Sequence, residues 1–234
     1  MDGTSRVIIY GAAGYTGRLA SEHAKALGLP TILVGRARAS IVGLAILLDV
    51  PYRVFDLEGP SIIVSVLREE RIKVLLNCAG PFVLGTAAPL IAACIETGVH
   101  YLDISAELSS YQLATDRSDD AKAAGVMLLP GCGGSVAMLG CLAGHAAQRI
   151  RGPTHIDIAL RVAGSMSRGS VVSAAQGSMA GSQCHQRLGN GLVPWFTTDE
   201  ACRQFDFEDG GGPCFVLPSH AAGSDHHLEV YGRG

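Results

Sequence analysis

Along the first 130 residues, short apolar runs alternate with segments of helical periodicity. The runs are Arg6–Tyr10, Thr31–Val34, Tyr52–Phe55, Val74–Asn77, His100–Ile104 and Val126–Leu129. Most lack polar alternation, as expected of parallel strands covered on both faces. Between them the pattern predicts helices over Thr16–Gly28, Ala39–Leu48, Pro60–Glu70, Thr86–Gly98 and Leu108–Gly125. Pro60 suits a helix start, and Gly98 and Gly125 suit helix ends. Six strands joined by five helical crossovers predict an α/β fold with a doubly wound parallel sheet, in the order 3-2-1-4-5-6.

The pattern changes near residue 131. Gly131-Cys132-Gly133-Gly134 reads as a flexible junction, and Ser135–Ile150 as a helix. In Pro153–Gly164, His155, Asp157 and Arg161 alternate with Ile156, Ile158, Leu160 and Val162, which predicts a half-exposed antiparallel strand. A further helix is expected over Val171–Gly181. Beyond Gln183 the chain is glycine-rich and poor in regular pattern. The organisation read from this is a Rossmann domain over residues 1–130 and a second, partial α+β domain over residues 131–234, expected to be incomplete.

The richest chemistry lies in the first turn. Val7-Ile8-Ile9-Tyr10 runs into Gly11-Ala12-Ala13-Gly14-Tyr15-Thr16-Gly17, a G-x-x-G-x-x-G spacing of the kind common in NADP-using folds. The first glycine permits the bend, the second lets backbone N–H groups approach a pyrophosphate, and the third packs the helix on the sheet. The helix then offers unpaired N–H groups and its positive dipole end to phosphates. Arg36 follows the second strand, about twenty residues past Gly17, where an NAD-preferring site carries an acid. No Asp or Glu stands between Thr31 and Ser40, and Arg38 adds a second guanidinium. Two such forks favour a 2′-phosphate, hence NADP as cofactor.

Composition narrows the function classes. The 234 residues carry 48% hydrophobic and 17% charged residues and a net charge of −3, with mean hydropathy +0.29. That is a globular chain without the basic character of a nucleic-acid binder. No run approaches the roughly 18–20 apolar residues of a membrane span, and no signal-like segment opens the chain. Seven scattered cysteines without a C-x-x-C pair read as reduced core thiols, so the expected location is cytoplasmic. No metal site is expected: Cys214, His220, His226 and His227 match no zinc spacing. The Tyr-x-x-x-Lys pair of short-chain dehydrogenases is absent from every tyrosine.

Several motifs together resemble the saccharopine dehydrogenase-like oxidoreductases, including the trans-acting enoyl reductases. They are Gly11-Ala12-Ala13-Gly14-Tyr15-Thr16-Gly17-Arg18, Val34-Gly35-Arg36, Leu76-Asn77-Cys78-Ala79-Gly80-Pro81-Phe82, Ala92-Ala93-Cys94, and Gly98-Val99-His100-Tyr101-Leu102-Asp103-Ile104-Ser105. The resemblance covers residues 6–135 well. It implies an NADP-binding domain and a second domain closing over the nicotinamide, with hydride transfer to or from an imine, a secondary amine or a conjugated enoyl double bond. The implied partner is a small molecule, an amino-acid-derived imine or a polyketide or lipid-like enoyl; a homo-oligomer is left open. Cofactor contacts are expected from Gly11, Ala13, Gly14, Tyr15, Thr16, Gly17, Arg36, Arg38, Asn77, Ala79, Gly80 and Pro81.

Two family features differ. Ala106-Glu107-Leu108 stands where Gly-Glu-Pro is common, and Gly133-Gly134-Ser135 where Gly-Phe-Asp-Ser is common. Asp103, Glu107 and His100 are the candidate acid–base groups, with helix capping or a structural hydrogen bond as the competing role. Cys132 reads as an inert thiol, since no basic neighbour in sequence would lower its pKa. Ser165–Ser170, with Arg168 among small polar residues, suits an anion-contacting loop or a plain turn. The alternative function is a non-catalytic NADP-binding module or truncated relic acting as an interaction partner.

Overall fold

The apolar runs pair side by side into one sheet. The computed structural model describes residues 6–152, 184–188, 191–195, 203–216 and 230–231. Strands β1 (Arg6–Tyr10), β2 (Thr31–Gly35), β3 (Tyr52–Val54), β4 (Ile72–Asn77), β5 (His100–Asp103) and β6 (Leu128–Leu129) run in the order β3-β2-β1-β4-β5-β6. Every pairing in it is parallel. The doubly wound Rossmann arrangement is therefore as the sequence predicts.

Two apolar layers hold this sheet. Successive strand residues point to opposite faces. Ile8 joins Ile32, Val34, Ile63, Leu67, Leu90 and Ile91, on the face covered by α3 (Pro60–Glu69) and α4 (Ala87–Thr97). Ile9 joins Leu33, Ala24, Ile41 and Leu44, on the face covered by α1 (Tyr15–Ala26) and α2 (Arg38–Leu48). Each fully buried aliphatic side chain contributes about 1.5–3 kcal/mol. Burial on both sides is why these strands carry no polar alternation.

Helix ends follow local chemistry. Gly98 closes α4 in the left-handed conformation, with its following N–H groups folded back on the helix. Asp49 takes that conformation after α2, and Lys25 Nζ donates to its carbonyl oxygen. Two predicted helices differ from expectation. The segment 108–125 divides into α5 (Leu108–Asp116) and α6 (Ser118–Ala124), with Arg117 at φ −101°, ψ 9° between them. Neither Gly nor Pro marks that break, which accompanies the burial of Ala121. The segment expected to be helical from Thr86 begins one residue later, after a π-helical turn over Phe82–Thr86.

By its contacts the chain divides into residues 1–133 and 134–234. The second unit opens with α7 (Gly134–Arg149). Its glycine-rich tail is more regular than the sequence indicates. Strand β7 (Cys184–Leu188) pairs antiparallel with β8 (Gly191–Trp195), and β11 (Val230–Tyr231) runs parallel to β7. Strands β9 (Arg203–Phe205) and β10 (Cys214–Val216) form a separate antiparallel pair. The strand predicted over 153–164 and the helix predicted over 171–181 lie outside the described residues. Among the described residues, no helix is long and apolar enough to cross a membrane.

Candidate functional site

Strand order reverses between β1 and β4, and the carboxyl edge of an open α/β sheet has its ligand crevice at such a point. Two loops meet there. Gly11 leaves β1 at φ +78°, a conformation that costs glycine little. A Cβ on Gly11 would lie 2.8 Å from Ala79 Cβ and 2.9 Å from Ala79 N. Cys78 N–H donates to the Tyr10 carbonyl at 2.8 Å, and the Gly11 and Ala12 N–H groups both donate to the Val34 carbonyl. The turn is thus bound to β2 on one side and to the β4 loop on the other.

The remaining two glycines have separate tasks. A Cβ on Gly17 would sit 2.2 Å from the Gly11 carbonyl oxygen, so α1 rests directly on the turn. Gly14 is exposed and is the N-cap of α1, and a Cβ there would meet only the Gly11 carbonyl oxygen, at 3.2 Å. Ala13, Tyr15 and Thr16 beside it are also exposed. The first N–H groups of a helix have no intrahelical acceptor. No side chain caps α1, and its first turn carries no acid. An anionic diphosphate fits this cradle: open amides, a positive dipole end, and a glycine where a side chain would intrude.

Arg36 and Arg38 stand exposed just past β2, Arg38 opening α2. Burial pushes the Tyr10 phenol up, the Arg36 guanidinium pulls it down, and Asp56 pushes it up again. The Arg36 charge therefore acts toward the end of β1, beside the glycine turn. Gly35 leaves room for Ile41, whose Cδ1 would lie 2.8 Å from a Cβ at Gly35.

On the β4 side, Ala79, Gly80 and Pro81 form the loop facing Gly11. Asn77, expected among the contacts, lies fully buried beneath them. Its amide donates to Thr86 Oγ1 at 2.9 Å and to the Tyr101 hydroxyl at 3.1 Å, and its carbonyl accepts the Ala79 N–H at 3.0 Å. It shapes the loop from below. Thr86 was not among the expected site residues, and Tyr101 stood only as part of the His100-Tyr101-Leu102-Asp103 motif. Their signal in sequence is a hydroxyl just before a helix and a tyrosine inside a buried strand.

Of the three candidate acid–base groups, Asp103 and Glu107 lie at the carboxyl edge and His100 does not. Asp103 is fully buried and accepts hydrogen bonds from the Tyr101 hydroxyl (3.0 Å) and from the Ser105 and Gly131 N–H groups (2.9 Å each). Glu107, half-buried, accepts the Phe82 N–H at 3.4 Å and so reaches the π-helical turn. His100 opens β5, level with Val74, whereas Asp103 is level with Asn77. At about 3.3 Å per residue, His100 sits about 10 Å down the strand from Asp103, toward the amino edge. Its Nδ1 accepts the Met127 N–H at 3.0 Å. His100, expected among the acid–base candidates, is thus at the strand end away from the crevice.

The thiols near the site are held protonated. Burial, then the Asp103 charge, pushes Cys78 up to about 12. The same two causes raise Cys132, whose Sγ donates to the Leu129 carbonyl. A hollow of about 410 Å³ lined by Ala45, Ile46, Asp49, Val50, Pro51 and Tyr52 opens at the amino edge, away from the glycine turn. Ser165–Ser170 and the histidines 220, 226 and 227 lie outside the described residues.

The chain is 32% identical over 136 residues to a trans-acting enoyl reductase of Mycobacterium leprae, covering 54% of this chain and 32% of that protein. It is 30% identical over 109 residues to a trans-acting enoyl reductase of Mycobacterium tuberculosis H37Rv, covering 44% and 25%. This chain thus spans a third or less of the length of these relatives. Among solved structures, the apo saccharopine dehydrogenase (L-Glu forming) of Saccharomyces cerevisiae matches at 15% identity and a TM-score of 0.49, over 62% of this chain and 29% of that one. The family model for the saccharopine dehydrogenase NADP binding domain matches residues 7–129, from within β1 to the end of β6. With more than half of its length inside that match, the chain belongs to the family of saccharopine dehydrogenase NADP-binding domains.

Proposed function

We propose that the protein binds NADP(H) at the β1–α1 turn and is an oxidoreductase acting on an imine, a secondary amine or a conjugated enoyl double bond. The observation that carries this reading is the meeting of Gly11 with Ala79 at the reversal of strand order, beneath an uncapped helix N-terminus. Tyr15, Thr16 and Gly17 would hold the pyrophosphate through backbone amides, with Gly14, whose N–H is held by the Gly11 carbonyl, leaving room for it. Arg36 and Arg38 would hold the 2′-phosphate, because planar guanidinium forks match phosphate oxygens. Ala79, Gly80 and Pro81 would flank the nicotinamide half. When bound, the coenzyme supplies or accepts the hydride. Glu107, half-buried beside the π-helical turn, is the candidate for moving a proton.

Calorimetric titration of the protein with NADPH and NADH tests this reading. Arg36→Asp is expected to weaken NADPH binding by about ten- to a hundredfold and to change NADH binding little. Equal loss for both coenzymes would remove the 2′-phosphate assignment, and no heat with either would remove the binding site.

One observation favours a second reading, a coenzyme-binding module without turnover. His100 is at the far edge and Asp103 has both oxygens engaged, which leaves Glu107 as the half-exposed acid among the three expected groups. Substrate-dependent loss of reduced nicotinamide absorbance, over a panel of imines and enoyl thioesters, separates the two. Tight NADPH binding with no oxidation across the panel supports the module.

A further inference from the structure

Asn77, Tyr101 and Asp103 are polar, yet none has measurable exposure. Buried polar groups are tolerated when each finds a partner, and here the hydrogens can be assigned one by one. Asn77 spends its two amide hydrogens on Thr86 Oγ1 and the Tyr101 oxygen. The Tyr101 hydrogen goes on to Asp103 Oδ2 at 3.0 Å. The Thr86 hydrogen goes to the Ala79 carbonyl at 2.6 Å. The reverse setting of the Asn77 amide would aim its NH₂ at the Ala79 N–H, so only one orientation satisfies the array. The chain of bonds has a single polarity that ends on Asp103.

Asp103 joins two further loops. Its Oδ1 accepts the Ser105 and Gly131 N–H groups, and its main-chain carbonyl accepts the Cys132 N–H at 2.7 Å. The loops after β4, β5 and β6 are therefore fastened to one carboxyl group, at the same edge of the sheet.

We propose that Tyr101 is a positioning residue: its hydroxyl joins Asn77 to Asp103 and so holds the Ala79–Pro81 loop against Gly11, in register with the loops after β5 and β6. This rests on the reading that the Ala79–Pro81 loop flanks the bound coenzyme. Phenylalanine at 101 would leave an Asn77 hydrogen and an Asp103 oxygen without partners in a dry interior. The loops would then lose a shared anchor while the apolar core keeps its volume.

The test combines coenzyme affinity with hydrogen exchange of the coenzyme-free protein, at a temperature where each variant is fully folded by circular dichroism. Tyr101→Phe is expected to raise the dissociation constants for NADPH and NADH by the same factor, about tenfold or more. Exchange is expected to quicken in peptides covering 78–86, 104–107 and 131–132 together. The equal loss sets this effect apart from the selective loss expected of Arg36→Asp. Should Tyr101→Phe fail to fold, Thr86→Val cuts the array at its loop end, with Thr86→Ser as the control that keeps the hydroxyl. Thr86→Val is then expected to lose affinity and loosen 78–86, and Thr86→Ser to match the parent. Affinity within about twofold of the parent, with unchanged exchange at 78–86, in Tyr101→Phe or in a folded Thr86→Val, would overturn the proposal. A parent protein that binds neither coenzyme counts against the proposed function instead; the exchange arm still decides whether the array couples the three loops.

Discussion

At Gly17 an added methyl group would have to share space with the Gly11 carbonyl oxygen 2.2 Å away, whereas at Gly14 it would stand 3.2 Å from that oxygen and meet nothing else. The contrast separates a packing glycine from the glycine proposed to face the coenzyme. Gly17→Ala is expected to cost stability and coenzyme binding together, by about 1–3 kcal/mol in urea unfolding, because backbone atoms on both sides must move. Gly14→Val is expected to leave the unfolding midpoint close to the parent's and to abolish NADPH binding by filling the crevice. Retained affinity in a folded Gly14→Val would exclude the turn as the site. The thiols offer a second check at this scale. Folded Cys78 holds its proton up to about 12, against an ordinary value of 9.0. The proton is held more tightly in the folded state, so this contribution to stability is complete below pH 9.0 and fades as pH rises from there toward about 12. At about pH 8, alkylation read by mass spectrometry should mark exposed Cys141 first, half-buried Cys78 more slowly, and buried Cys94 only on unfolding. Equal rates for Cys78 and Cys141 would contradict the raised Cys78 value, and fast labelling of Cys94 in the folded protein would contradict its burial.

Each element of the first unit is fastened by a few side chains, and α2 shows how. Ile41 is fully buried and lies against the space that Gly35 leaves open. Ile41→Ala is expected to cost about 2–4 kcal/mol in denaturant unfolding, and a loss below about 1 kcal/mol would mean that α2 collapses into the gap. This is also the scale at which the sequence reads best. Ile8-Ile9 and Ile32-Leu33-Val34 are buried on both faces, and that pattern survives in the order of residues alone. Gly98 and Gly125 end helices for a reason tied to a single residue. The break at Arg117 and the π-helical turn over Phe82–Thr86 have no such local cause. The turn is pinned by bonds from Thr86 to Asn77 and Ala79, and from Phe82 to Glu107 25 positions away. Such partners meet only after the strands have paired. The glycine turn and the two arginines are contiguous motifs and so were legible. That His100 opens its strand and Asp103 closes it follows from the strand itself; that Asp103 is engaged by Gly131, 28 positions away, follows only from loop closure, which sequence spacing does not encode.

Among the described residues, buried apolar side chains and candidate chemistry fall in the first unit. Every buried apolar side chain among the described residues lies between Ile8 and Val126, inside the unit that ends at Gly133. Both faces of the six-stranded sheet are covered by helices of that same unit. The glycine turn, Arg36, the Ala79–Pro81 loop, Asp103 and its anchors as far as Cys132 also belong to it. A stretch of this length with a closed core of its own is within the range of independently folding domains. A fragment of residues 1–133 is therefore expected to unfold in a single cooperative transition and to bind NADPH within about threefold of the full chain. Residues 131–133 must be kept, because the Gly131 and Cys132 N–H groups complete the shell of Asp103. A fragment ending at Leu129 should therefore bind more weakly and exchange faster around Ser105. If residues 1–133 unfold without cooperativity, or bind NADPH no better than the shorter fragment, the site draws on residues 134–234 and the division of labour is different.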